Sequence, residues 1–229
     1  MGAPVTAPAR PRLLVFARVP VPGRVKTRLI GALGEQGATA VHRALLQRTL
    51  EASRGLAEVE RELWWDAAPP PRDPAAGLAA AYGMTERVQQ GADLGERMAH
   101  AMAQTLTAAP AAVLIGSDCP DCDATYLRTA FAALTRADAV LGPALDGGYV
   151  LIGLGRADAR VFAGLPWGSD RVLADTRARI EALGWRWREL PVRSDIDRPG
   201  DLAGHPDLVI AGRGNRVSQW PWRGFLVRK

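Results

Sequence analysis

The stretch Val113-Leu-Ile-Gly-Ser-Asp-Cys-Pro120 decides how this chain is read. The apolar run that opens at Ala111 is short and stops at Gly116, the pattern of a buried strand. The first charge after it is Asp118. Pro120 restricts the backbone of Cys119, and Asp123 to Leu134 then carries Leu127, Phe131 and Leu134 at helical spacing. Asp118 is therefore expected at the carboxyl end of a strand, just ahead of a helix. In open α/β sheets that edge is where ligands bind. A carboxylate there can hold a divalent cation, and the cation can hold phosphate oxygens.

Outward from this stretch, strand-like and helix-like segments alternate. Residues 12–17, 63–65, 111–115, 139–142, 149–153 and 185–190 read as strands. Residues 36–52, 93–107, 123–135, 169–183 and 199–203 read as helices, with Asp93 suited to cap the second. Two prolines and a glycine make 18–24 a loop, and Pro69 to Pro74 is a surface loop. The order predicts an α/β fold, a largely parallel sheet with helices on both faces. The chain of 229 residues, 48% hydrophobic and 23% charged, can bury a core as one domain. That domain is expected over 12–211, with an extension at 1–11 and a basic tail at 212–229. No run is long and apolar enough to span a bilayer, and the first residues lack a signal peptide's apolar region, so a cytoplasmic enzyme is the expectation.

The net charge of +5 belongs to the tail. Arg213, Arg216, Arg223, Arg228 and Lys229 account for all of it, and the rest of the chain is neutral. The basicity therefore predicts neither nucleic acid nor membrane as a partner, and the tail reads as a terminal extension. Elsewhere arginine supplies nearly every positive charge. Lys26 is the only lysine before the last residue, which suggests a position that wants a compact ammonium rather than a fork.

Four groups could do chemistry. The loop Pro20-Val-Pro-Gly-Arg-Val-Lys-Thr-Arg-Leu29 sets Arg24, Lys26 and Arg28 within five residues, with Gly23 allowing close backbone approach. It can wrap a di- or triphosphate, although it matches neither the Walker A nor the dinucleotide fingerprint; an exposed basic turn is the competing reading. Asp118 is the second, since Asp121 and Asp123 are better placed to cap the helix. The third is Gly142-Pro-Ala-Leu-Asp-Gly-Gly-Tyr149, a turn between two strands in which Gly147 and Gly148 leave room beside Asp146. The fourth is Asp195-Ile-Asp197, where alternation sends both carboxylates to one side. Cys119-Pro-Asp-Cys122 allows a redox reading. Two further zinc ligands are lacking, and His42, His100 and His205 read as ordinary surface or core histidines.

Residues 16–29 resemble the opening of a bacterial family of GT-A-fold (nucleotide-diphospho-sugar transferase) proteins, many labelled glycosyltransferases, some of them in arsenosugar biosynthesis. Gly91 to Met98, Gly116 to Pro120, Gly142 to Tyr149, Pro166-Trp167 and Asp195 to Leu202 resemble later motifs of that family in the same order, over about residues 12 to 203. The resemblance implies a single-domain three-layer αβα sandwich and a metal-dependent transferase working on a nucleotide sugar and a small-molecule acceptor. It implies Mg²⁺ or Mn²⁺ on Asp118, with Asp197 supplying a second ligand. It places the diphosphate on the Arg24–Arg28 loop, the base or ribose near Leu94 and Gly95, and the acceptor near Asp146 and Tyr149. Ala17, Arg18, Gly23, Ser117, Gly147 and Gly148 complete the implied nucleotide-binding set. Lys26 and Asp146 are the implied catalytic residues, Asp146 deprotonating or orienting an acceptor hydroxyl. Nucleotidyl transfer from an NTP with release of pyrophosphate, and non-catalytic nucleotide binding, use the same residues and stay open here.

Overall fold

The computed structural model describes residues 9–213. Seven strands form one sheet: β1 Arg12–Ala17, β2 Glu60–Trp65, β3 Thr85–Val88, β4 Ala112–Ile115, β5 Ala139–Pro143, β6 Tyr149–Leu154 and β7 Trp187–Glu189. Their spatial order is β3-β2-β1-β4-β6-β5-β7. All pairs are parallel except those made by β6, which runs antiparallel between β4 and β5. The β5–β6 connection is the Asp-Gly-Gly hairpin expected from the sequence. Because only β6 is reversed, the loops that follow β1, β2, β3, β4, β5 and β7 all leave from the same edge.

Strand alternation splits the apolar residues between two faces. Leu13, Val15 and Ala17 of β1 pack with α1 (Ile30–Arg54) and α4 (Ala124–Leu134) through Leu46, Leu50, Tyr126 and Leu127. Leu14 and Phe16 pack on the other face with α3 (Leu94–Leu106) and α5 (Val172–Ala182) through Met98, Met102 and Ile180. The result is the three-layer αβα arrangement. A third cluster joins Val41 and Leu45 of α1 to Ile196, Leu202 and Leu208, and so docks the end of the domain onto α1.

Asp93 and Asp123 cap α3 and α4 by accepting from the backbone N–H groups of Glu96 and Tyr126. The helix expected from Gln36 begins earlier but is broken at Gly34, whose φ is 70°. The strand β3 was not expected, because all four of its residues are exposed and it carries no apolar alternation. The short α2 (Leu78–Ala81) and the terminal α6 (Pro206–Arg213) are also additions. Since α6 runs past residue 211, the expected boundary there falls inside a helix, and the basic tail from residue 214 lies outside the described residues. No helix among those described is long and apolar enough to cross a membrane.

Candidate functional site

Three loops from the shared edge are tied together by one residue. The side chain of Ile196 is buried against α1. Its N–H donates to the Asp118 carbonyl at 2.9 Å, and its carbonyl accepts from Lys26 Nζ at 2.5 Å. With Ile196 held inward, Asp195 and Asp197 on either side both line the cleft. The alternation expected for Asp195-Ile-Asp197 is thus observed.

Lys26 is the only non-glycine residue with positive φ among the described residues, at 48°. Its side chain is 3% exposed and its Nζ lies 2.8 Å from Asp118 Oδ1. His42 backs this pair: its Nε2 is 3.0 Å from the Arg18 carbonyl and its Nδ1 is 4.0 Å from Asp118 Oδ1. Burial is the largest influence on Asp118 and pushes its pKa up, but Lys26 and His42 outweigh it and hold the carboxyl below its usual range. Burial lowers the His42 pKa from its ordinary value, against the opposing pull of Asp118. The Asp118 side chain as a whole is still 47% exposed, so it meets the cleft with Oδ1 committed and the rest open. Arg28 forms an ion pair with Asp197 at the rim.

The cleft has two lobes that share Phe16, Arg28, Leu94, Gly116 and Asp197. The first, of about 690 Å³, lies over β1 and β2 and is lined by Ala17, Arg18, Lys26, Arg97, Ser117 and Asp118 among others. The second, of about 660 Å³, lies over β4–β6 and is lined by Asp146, Gly148, Tyr149, Trp167, Asp195 and their neighbours. Tyr149 and Trp167 meet edge to face at 6.3 Å. The Tyr149 hydroxyl and the Trp167 indole N–H are enclosed without a hydrogen-bond partner among the described residues. Asp146 sits at the rim and accepts from the Gly148 N–H at 3.0 Å. Burial, then the negative charges of Asp118, Asp146 and Asp197, push Asp195 up to about 7 against the pull of Lys26.

Most of the residues read from the sequence meet here, and four do not line either lobe. Gly23 lies beside Glu35, and Arg24 points into solvent. Gly95 is buried under Trp167: a Cβ there would fall 2.6 Å from the indole nitrogen. Gly147 packs on Asp170, where a Cβ would fall 2.2 Å from the carbonyl oxygen. Three contributors were not singled out from sequence. Asp195 was read only as half of a pair, His42 as an ordinary histidine, and Arg97 only as part of the Gly91–Met98 stretch; the helical position of Arg97 just after a capped N-terminus beside the cleft is the signal that could have found it. Cys119 and Cys122 are free, buried and packed with Tyr126 and Leu127. The Cys122 thiol is pushed up by its contact with Cys119 and by burial, the opposite of an activated redox thiol.

Among the described residues no group of three or more His, Cys, Asp or Glu side chains forms a metal cage. Asp118 and Asp197 each have a cation of the chain beside them. Two carboxylates of this kind fit a cation that arrives with phosphate oxygens and water as its remaining ligands, as Mg²⁺ commonly does.

Residues 49–169 match the family described as uncharacterized protein conserved in bacteria (DUF2064). No curated protein matches the chain in sequence. Among solved structures, a Desulfovibrio desulfuricans G20 protein provisionally described as a nucleotide-diphospho-sugar transferase is 33% identical, with 85% of each chain covered and a TM-score of 0.76. CMP:2-keto-3-deoxy-manno-octonic acid synthetase, complexed with CTP, is 13% identical over 87% of this chain and 98% of its own, with a TM-score of 0.56. A Mycobacterium tuberculosis H37Rv protein in complex with manganese is 19% identical over 87% of this chain and 98% of its own, with a TM-score of 0.52. The latter two share the fold. The expected GT-A-like architecture is the one observed.

Proposed function

The chain belongs to the DUF2064 family, and from that premise we propose that it is a transferase that moves a glycosyl group from a nucleotide sugar to a small hydroxylated acceptor. The relative described as a nucleotide-diphospho-sugar transferase supports the class. The charge difference between the lobes supports the finer reading. In the Lys26 lobe, four basic side chains face four carboxylates. In the Asp146 lobe, Asp146, Asp170, Asp195, Asp197 and Asp201 face only Arg28 and Arg198 among the described residues. An acceptor phosphate, as nucleotidyl transfer from an NTP requires, would enter that acidic lobe against like charge, which costs several kcal/mol when unshielded. A neutral, hydroxyl-bearing acceptor would not. This asymmetry is the observation on which the choice rests.

In this reading the diphosphate lies across Lys26 and Arg28. As the sugar bond breaks, the leaving nucleoside diphosphate gains negative charge, and cationic groups placed beforehand stabilise it. The Lys26 ammonium donates to the Ile196 carbonyl and forms an ion pair with Asp118, and a remaining N–H would serve a phosphate oxygen. Arg28 reaches phosphate by turning from Asp197. Mg²⁺ or Mn²⁺ held by Asp118 and Asp197 would add charge neutralisation at the same oxygens. Asp146 orients the acceptor hydroxyl from the rim, and Asp195 lies deeper in the same lobe to receive its proton. Ring atoms of the acceptor pack on Tyr149 and Trp167.

The test is a panel of sugar nucleotides and NTPs with Mn²⁺ and mixed hydroxylated acceptors, followed by chromatography of the nucleotide products. Release of a nucleoside diphosphate or monophosphate from a sugar nucleotide is expected. Pyrophosphate release from an NTP with a phosphorylated acceptor would replace this reading with nucleotidyl transfer. Metal-dependent thermal stabilisation without turnover of any donor would reduce the protein to a binding module.

A further inference from the structure

We propose that the opposite edge of the sheet carries a second binding site, for a compact phosphate oxyanion such as pyrophosphate or the phosphate tail of a nucleotide. A cavity of about 360 Å³ lies where β1, β2 and β3 begin. Arg10, Arg12, Arg54, Arg61 and Arg87 line it, with Glu60 and Glu62 the only acids beside them among the described residues.

Those two carboxylates are already used. Arg12 pairs with both, and Glu62 also accepts from the Trp64 indole N–H. Arg54 is drawn aside by Glu51 and lies over the Tyr82 ring at 4.6 Å. Arg10, Arg61 and Arg87 have no carboxylate within ion-pair distance among the described residues. Arg61 is half-buried, and among the described residues the one hydrogen bond of its guanidinium is to Ser53 Oγ at 3.5 Å. Burial, and then repulsion by Arg54, disfavour its charge. Gly83, which takes a positive φ of 63°, lies next to its guanidinium.

Three unneutralised forks around one cavity match an anion with several charges and many acceptor oxygens. A lone carboxylate would leave most of this charge unmatched. The site is independent of whatever the cleft at the other edge binds.

The probe is inorganic pyrophosphate, titrated calorimetrically in low-salt, metal-free buffer into the wild type, Arg28→Gln, Arg87→Gln and the double variant Arg61→Gln/Arg87→Gln. Arg87 is exposed, so its substitution leaves folding intact even where Arg61→Gln disturbs the core. Binding is expected to survive in Arg28→Gln and to weaken by about tenfold in Arg87→Gln, further in the double variant, as loss of charge-assisted hydrogen bonds implies. Competition by ADP in the Arg28→Gln protein would identify a nucleotide tail as the occupant, and its absence a free oxyanion. No binding in the wild type, or binding abolished by Arg28→Gln and untouched by Arg87→Gln, would overturn the proposal and leave these arginines as guards of the exposed β3 edge.

Discussion

At the residue scale the centre of the cleft is a pair, Lys26 and Asp118, in which the buried member is the cation. Lys26→Met removes the charge that holds Asp118 low and leaves the Ile196 carbonyl without its donor. We expect it to lower stability by roughly 1–3 kcal/mol, below the usual loss for a broken buried pair because Asp118 stays half in solvent; urea denaturation measures this. Asp118→Asn should reduce turnover by ~10²-fold or more while the fold persists, read from nucleotide release and circular dichroism. Asp195 gives a pH prediction. Folded, it keeps its proton to about pH 7, whereas the unfolded chain releases it near pH ~4. The folded state therefore binds more protons in that window, and stability falls as pH rises through it. Melting in chelator-containing buffer should show wild type losing stability across the window, with Asp195→Asn flatter and more stable at the alkaline end. A slope unchanged in the variant would place the proton elsewhere. Lys26 was legible from its rarity in an arginine-rich chain. Asp195 was not, because its burial and its acidic neighbours come from loops far apart in sequence.

Two glycines set the element scale. Gly147, with φ of 86°, lets the β5–β6 hairpin close on Asp170. Gly147→Ala combines a disfavoured backbone with a backbone clash and should cost roughly 1–3 kcal/mol, while Gly148→Ala meets only the Asp146 carboxylate of its own turn, at 3.2 Å, and should melt close to wild type. Gly95 lets α3 take Trp167 and the Phe162 carbonyl against its backbone, so Gly95→Ala should lower the melting temperature, push the indole into the acceptor lobe and raise the acceptor KM more than the donor KM. Equal changes in both would argue against separate lobes. The turn pointed Gly147 at the ligand, and the family resemblance did the same for Gly95; in the fold, Gly95 and Gly147 instead allow one element to approach another. Local signals did locate the caps of α3 and α4 and the hairpin, because those bonds join near neighbours. The strand β3 had no such signal, since an exposed edge strand has no buried face to pattern.

For the whole molecule, alternating segments gave the parallel sheet and its two helical layers, and with them the edge at which loops converge. Which loop residues touch there depends on long-range packing that no local pattern encodes, above all the docking of residues 196–208 on α1. The consequence reaches into what lengths this loop can take. Leu190 is fixed by its N–H bond to the Leu141 carbonyl and Arg193 by its N–H bond to the Pro143 carbonyl, and Ile196 is the next anchored point. One extra residue between 193 and 196 would turn an aspartate toward the greasy socket and the isoleucine toward the cleft, by the twofold period of extended chain. Two extra residues would restore the facing. Insertions here should be tolerated by parity, even but not odd.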